Sequence, residues 1–138
     1  MKIGNKEIKL YYSNLAERDL VELCGGIKSI KSLFYKEDGT ALDPYEQHSN
    51  VIKLVRILAN GEVVKHNSEI ALGLSDGEKK EKLTDEMLEA VLDVAKMDDY
   101  LMECFRIMGL ASAFEVPENV KLEESDADLA EIEAEKNP

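Results

Sequence analysis

The chain is poor in the residues that build reactive centres, with only two histidines, His48 and His66, and two cysteines, Cys24 and Cys104, among 138 residues. Neither histidine stands in an HxxxH, HExxH or CxxC-type spacing that would set ligands on one helical face, so a structural zinc site is excluded. The cysteines fall inside apolar helical patterns without a partner motif and read as small buried hydrophobes in a reducing compartment. Long apolar runs are missing as well. No stretch is long enough to span a bilayer, and residues 1–10 alternate polar and apolar where a secretory leader needs an apolar core. Basic residues are in the minority, 17 Lys and Arg against 29 Asp and Glu, for a formal net charge of −12. Binding a phosphate backbone requires a basic face that releases counterions, so nucleic acid is not the expected partner. Together these absences lead to an expectation of a soluble cytoplasmic protein with no metal, no cofactor and no membrane or nucleic-acid partner.

Catalytic constellations are equally scarce. Ser13, Ser29, Ser32 and Ser49 lack the GxSxG context of a nucleophilic elbow. Gly25-Gly26 follows a helical pattern, whereas phosphate cradles follow a strand and open a helix, so the pair reads as a helix stop. Asp76, Gly77 and Glu78 do not alternate oxygen ligands as a calcium loop does. His48 has Asp43, Tyr45 and Glu46 nearby in sequence and could be taken for an acid/base group, but a polar residue in the first turn of a helix explains it better. The chain is not expected to be an enzyme.

What the chain has in abundance is acid, and much of it lies at one end. Residues 115–138 hold nine carboxylates against Lys121 and Lys136, which is −7 of the net charge and leaves −5 for residues 1–114. This segment has no aromatic residue and too little apolar surface to offset ordering entropy, so it reads as an acidic, flexible tail on a compact domain of residues 1–114. Leu122, Leu129 and Ile132 are spaced for an amphipathic helix that forms on binding.

The compact part predicts a mainly α fold: a small N-terminal β-hairpin followed by a bundle of about five helices. Ile3, then Ile8, Leu10 and Tyr12 at period two, flank Gly4-Asn5 as in a hairpin. Asn14 with Glu17 three residues later resembles a capping box, opening a helix with Leu15, Leu20, Leu23 and Cys24 inward and Gly25-Gly26 at its end. A second short helix is expected over 27–35, with Ile27, Ile30, Leu33 and Phe34 inward. After a polar turn at Asp38-Gly39, Asp43-Pro44 gives an N-cap and a proline at the first helical position. The helix that follows, over 45–60, is apolar on a face so broad that it should be central and packed on more than one side, and Asn60-Gly61 reads as its stop. Segment 62–72 is left open between helix and partly extended chain, and 73–82 is a charged loop. Thr84 caps a last helical region, with Leu83 positioned to staple onto Leu88. Its stripes are Leu88, Val91, Leu92 and Ala95, then Leu101, Cys104, Phe105, Met108 and Ala111, separated by a break at Met97-Asp98-Asp99.

Four of the five methionines occur between Met87 and Phe114, with Tyr100, Phe105 and Phe114. Methionine adapts to varied apolar surfaces, so this region can be read either as the wide core face of a small helical domain or as a groove for a partner. On the second reading the contact residues are Met97, Leu101, Met102, Phe105, Met108, Leu110 and Phe114.

The order of IGNKEIKLYY, LAERDLVELCGG, a central apolar helix, a late helical pair ending GLASAF and an acidic end resembles the tail assembly chaperones of long-tailed bacteriophages and related prophages. That resemblance implies a cytoplasmic protein that keeps the tape-measure protein soluble while tail-tube subunits polymerise, and that is absent from the finished virion. It implies the tape-measure protein as partner, with the tail-tube protein and self-association left open. On this view Phe105→Asp weakens client binding and leaves the domain folded. The alternative from a different class is an acidic protein-binding or DNA-mimic inhibitor of a nucleic-acid-binding protein.

Overall fold

The computed structural model describes residues 1–110, so Ala111, Phe114 and the acidic tail 115–138 lie outside the described residues, as does the domain boundary expected at 114. Within them the fold is mainly helical with a two-stranded N-terminal hairpin, as expected. β1 (Lys2–Ile3) pairs antiparallel with β2 (Lys6–Glu7), with Lys2 opposite Glu7 and Ile3 opposite Lys6. Gly4, at φ 65°, opens the two-residue turn at the expected place, because a positive φ costs glycine little. The ladder is shorter than the alternating pattern through Tyr12 suggests. From Ile8 onward the chain leaves the hairpin and runs to α2 (Pro44–Ala71), where the Tyr11 amide donates to the Leu58 carbonyl at 3.0 Å.

Helix α1 (Asn14–Cys24) begins one residue earlier than the capping-box reading implies. Its cap is Ser13, whose hydroxyl accepts from the Ala16 amide at 3.1 Å. Asn14 is therefore already helical, and the Asn14/Glu17 pair is not the cap. Gly25 closes the helix in the left-handed region, at φ 95°, with its amide on the Val21 carbonyl. The second short helix expected over 27–35 is a 3₁₀ helix, Ile27–Leu33, kinked at Ser29. It still turns Ile30, Leu33 and the following Phe34 into the core, with Ile27 half-buried.

The 28-residue α2 is the spine of the molecule. Asp43 caps it, accepting from the Glu46 amide at 2.8 Å, and Pro44 occupies the first turn as the sequence predicts. Val51, Ile52, Leu54, Val55, Ile57, Leu58, Ala59 and Val63 are all buried, because α1, α3 (Asp85–Val91) and α4 (Met97–Ile107) pack around it. Breadth of apolar face did mark a central helix. The expected stop at Asn60-Gly61 is wrong, and the open segment 62–72 is helical to Ala71. Gly61 serves close approach instead: a Cβ there would lie 2.3 Å from the Tyr11 carbonyl oxygen and 3.3 Å from the Ala16 side chain. The incoming N-terminal segment can cross α2 only where there is no side chain.

Thr84 caps α3, accepting from the Met87 amide at 3.1 Å, and both Leu83 and Leu88 join the core as a staple requires. The break between the last two α-helices falls earlier than expected. Leu92 and Asp93 are extended, Val94–Lys96 form a 3₁₀ turn, and Met97-Asp98-Asp99 begin α4. Two aspartates in a first helical turn face the positive end of the helix dipole, so that acidic pair starts a helix where the sequence reading placed an interruption. Tyr100 ties the junction, its hydroxyl accepting from the Asp93 amide at 3.0 Å.

Candidate interaction surface

Five of the seven residues expected to line a partner groove are core residues. Met97, Leu101, Phe105, Met108 and Leu110 are buried in the core, Phe105 at 1% exposure, and Met102 is half-buried against it. Phe114 lies outside the described residues. Helix α4 lies directly against α2, and the broad apolar face of α2 needs a matching face to cover it. For these five buried positions the structure gives core in place of groove. Cys104, inside the same face, is fully buried, and burial pushes its thiol up to about 12.

Exposed apolar side chains stand elsewhere. Met87 is 46% exposed, Val91 56% and Val94 65%. They belong to the short α3 and the 3₁₀ turn after it, which we call the shoulder. Only Leu88 and Leu92 of this segment point inward, four residues apart. Leu88 and the C-cap Leu92 complete the core-facing side of this seven-residue helix, and the helical repeat leaves Met87 and Val91 side by side on the outer surface. The sequence reading set Val91 and Ala95 in the inward stripe; the structure turns both outward because the helix stops at Val91. A second exposed pair, Leu72 and Leu74, flanks the left-handed Gly73 at the end of α2.

The net charge of the described residues falls at their C-terminal end, and the shoulder, with Asp85, Glu86, Glu89 and Asp93 against Lys96, carries −3 of the −5 there. Residues 1–80 carry twelve basic and twelve acidic side chains, while residues 81–110 carry three basic and eight acidic. Asp85 is paired with Arg56 of α2, and Glu103 with Arg106, whose guanidinium hydrogen-bonds the carboxylate and holds its pKa below the usual range. Glu86 and Glu89 are exposed on α3. Around the helix they form one edge of its outer surface, Met87 and Val91 the other, with Ala90 between.

The loop from α2 to α3 is held by side chains of α2. Asn60 donates to the Leu83 carbonyl at 2.9 Å and accepts from the Leu83 amide at 2.7 Å. Asn67 does the same with Lys80, at 2.9 Å and 2.8 Å. His66 Nε2 lies 2.8 Å from the Glu78 carbonyl oxygen, which makes that nitrogen the donor. Seven helical residues rise about 10.5 Å, and three extended residues span about 10 Å. The two asparagines therefore meet an extended strap at matching intervals, in antiparallel sense. The sequence reading assigned these asparagines no such part; the signal available was two carboxamides seven apart ahead of a charged loop.

Beside the strap lies an open depression of about 400 Å³, bordered by Leu15, Asp19, Arg56, Val64, Lys82 and Asp85. Its principal charged groups, Arg56 and Asp85, already satisfy each other. Among the described residues no polar or charged side chain is fully buried, and no group of three or more His, Cys, Asp or Glu is placed to hold a metal ion. No helix among them is long and apolar enough to cross a membrane. No protein-family model, curated protein or solved structure matches the chain.

Proposed function

We propose that this chain is a protein-binding module, and specifically an assembly chaperone of long-tailed phage tails that keeps the tape-measure protein soluble while the tube polymerises. The observation that carries the reading is the exposed apolar set Met87, Val91 and Val94 beside acidic side chains on a well-anchored helix. A holder of an aggregation-prone helical client needs apolar area to mask it and charge to keep the complex dispersed. It also needs only moderate affinity, so that polymerising tube subunits can displace it. The order of hairpin, glycine-ended helix, central helix and late helical pair supports the resemblance drawn from the sequence. The surface assigned to the client is the shoulder, in place of α4.

Co-expression tests it: the soluble fraction of the tape-measure protein rises with this chain present, and Met87→Lys with Val91→Lys removes the gain while leaving the chaperone folded. An unchanged soluble fraction on co-expression rejects the proposal. The DNA-mimic alternative calls for carboxylates arrayed without apolar interruption, and the interleaved Met87, Val91 and Val94 favour the protein-binding reading.

A further inference from the structure

We infer that the shoulder, α3 with its following 3₁₀ turn, docks a basic amphipathic helix, whose apolar stripe covers Met87, Val91 and Val94 and whose flanking lysines or arginines face Glu86 and Glu89. The inference rests on the protein-binding reading above and adds the chemistry of the partner.

Three observations lead to it. The first is the charge contrast: the excess acid of the described residues lies wholly within 81–110, whereas 1–80 is balanced. A partner attracted by this charge is basic, and the shoulder, with four acidic side chains against Lys96, carries −3 of the −5. The second is the arrangement on α3, an apolar edge at Met87 and Val91 and an acidic edge at Glu86 and Glu89, both exposed. The complement of two such parallel edges is a helix with an apolar stripe and a basic border. The third concerns the backbone. Along the junction the Leu92 amide donates to Leu88, the Asp93 amide to Tyr100 and the Ala95 amide to Asp93. The shoulder thus offers side chains and few free main-chain groups, so it cannot extend a sheet with an incoming strand. The partner must arrive with its own backbone hydrogen bonds made, as a helix does.

The test uses the full 138-residue chain and three fluorescent peptides of equal length: an amphipathic Leu/Lys helix, the same composition scrambled so that no stripe forms, and an amphipathic Leu/Glu helix. Anisotropy titration is expected to show the Leu/Lys helix binding at least about tenfold more tightly than either control, with affinity falling as salt rises. Met87→Ser/Val91→Ser and, separately, Glu86→Gln/Glu89→Gln each weaken it about tenfold. Both double variants are surface changes, and unchanged circular dichroism and melting confirm that they fold. Binding equal to wild type in both double variants overturns the inference. So does loss of binding when the carboxylates of 115–138 are changed to amides with the shoulder intact, which would assign the attraction to that segment. The two proposals fail separately: shoulder binding of the Leu/Lys helix with no gain in tape-measure solubility rejects the chaperone reading alone. Equal binding of the Leu/Lys and Leu/Glu helices, with a tape-measure solubility gain that the shoulder variants remove, rejects this inference alone.

Discussion

Helix α4 and the α3 shoulder are neighbours in sequence, similar in apolar content, and opposite in fate. Met97, Leu101, Phe105 and Met108 close over α2, while Met87, Val91 and Val94 face outward. The difference lies in length and in what lies opposite. Helix α4 has three turns and an unsatisfied apolar face of α2 to cover; α3 has two, and Leu88 and Leu92 complete its inward stripe. Methionine and aromatic content marks a region as adhesive, but whether it adheres to its own fold or to a partner depends on the partner face available within the chain.

The contrast breaks most severely at Phe105. Phe105→Asp places a carboxylate at a position of 1% exposure, so the expectation that the domain stays folded is withdrawn. The expected cost exceeds about 4 kcal/mol, enough to abolish cooperative urea unfolding at 25 °C. Next is Gly61→Ala. In an ordinary helix that change gains up to about 1 kcal/mol, whereas here the added carbon meets the Tyr11 carbonyl oxygen, a backbone atom, at 2.3 Å. A net loss of about 1 to 3 kcal/mol is expected from chemical denaturation; a gain would show that the N-terminal segment does not cross α2 at that point.

Smaller effects sharpen the account of how the shoulder is held in place. Asn60→Ala leaves both main-chain groups of Leu83 without their partner and should cost about 1 to 3 kcal/mol. Asn67→Ala, on an exposed stretch of strap, should cost less, and amide exchange at Lys80 and Leu83 should quicken in the respective variants. Alkylation separates the two cysteines. With its thiol pushed up to about 12 by burial, Cys104 is held as the unreactive thiol at pH 8 and is fully buried. It should stay unmodified until the protein unfolds, while half-buried Cys24, raised by burial to a lesser degree, reacts first by mass spectrometry. The smallest effect belongs to the shoulder itself: Met87→Ser and Val91→Ser should each change stability by no more than about 0.5 kcal/mol. A loss of several kcal/mol at either would mean that those side chains are structural.

Much of the architecture was written locally. The Gly4-Asn5 turn, the glycine end of α1, the Asp43-Pro44 start of α2 and the Thr84 cap depend on interactions within a few residues. Propensity, capping and periodicity report such interactions directly. The errors share the opposite property. Gly61 looked like a stop because its role is set by Tyr11, fifty residues earlier in the chain. Asn60 reads with Gly61 as a helix stop, and Asn67 has no role in the sequence reading, because their partners, Leu83 and Lys80, are supplied by a later loop. The last helix looked like a docking groove because its occupant, α2, lies far back in the chain.

Composition and short-range pattern by themselves determined that this would be a mainly helical domain with an N-terminal hairpin and a broad central helix. Tertiary structure alone decided which apolar residues are spent on the core and which remain outside. Exposure depends on what each face meets after the chain has folded back on itself, and hydrophobicity read along a sequence carries the sign of that preference without the identity of the surface that satisfies it.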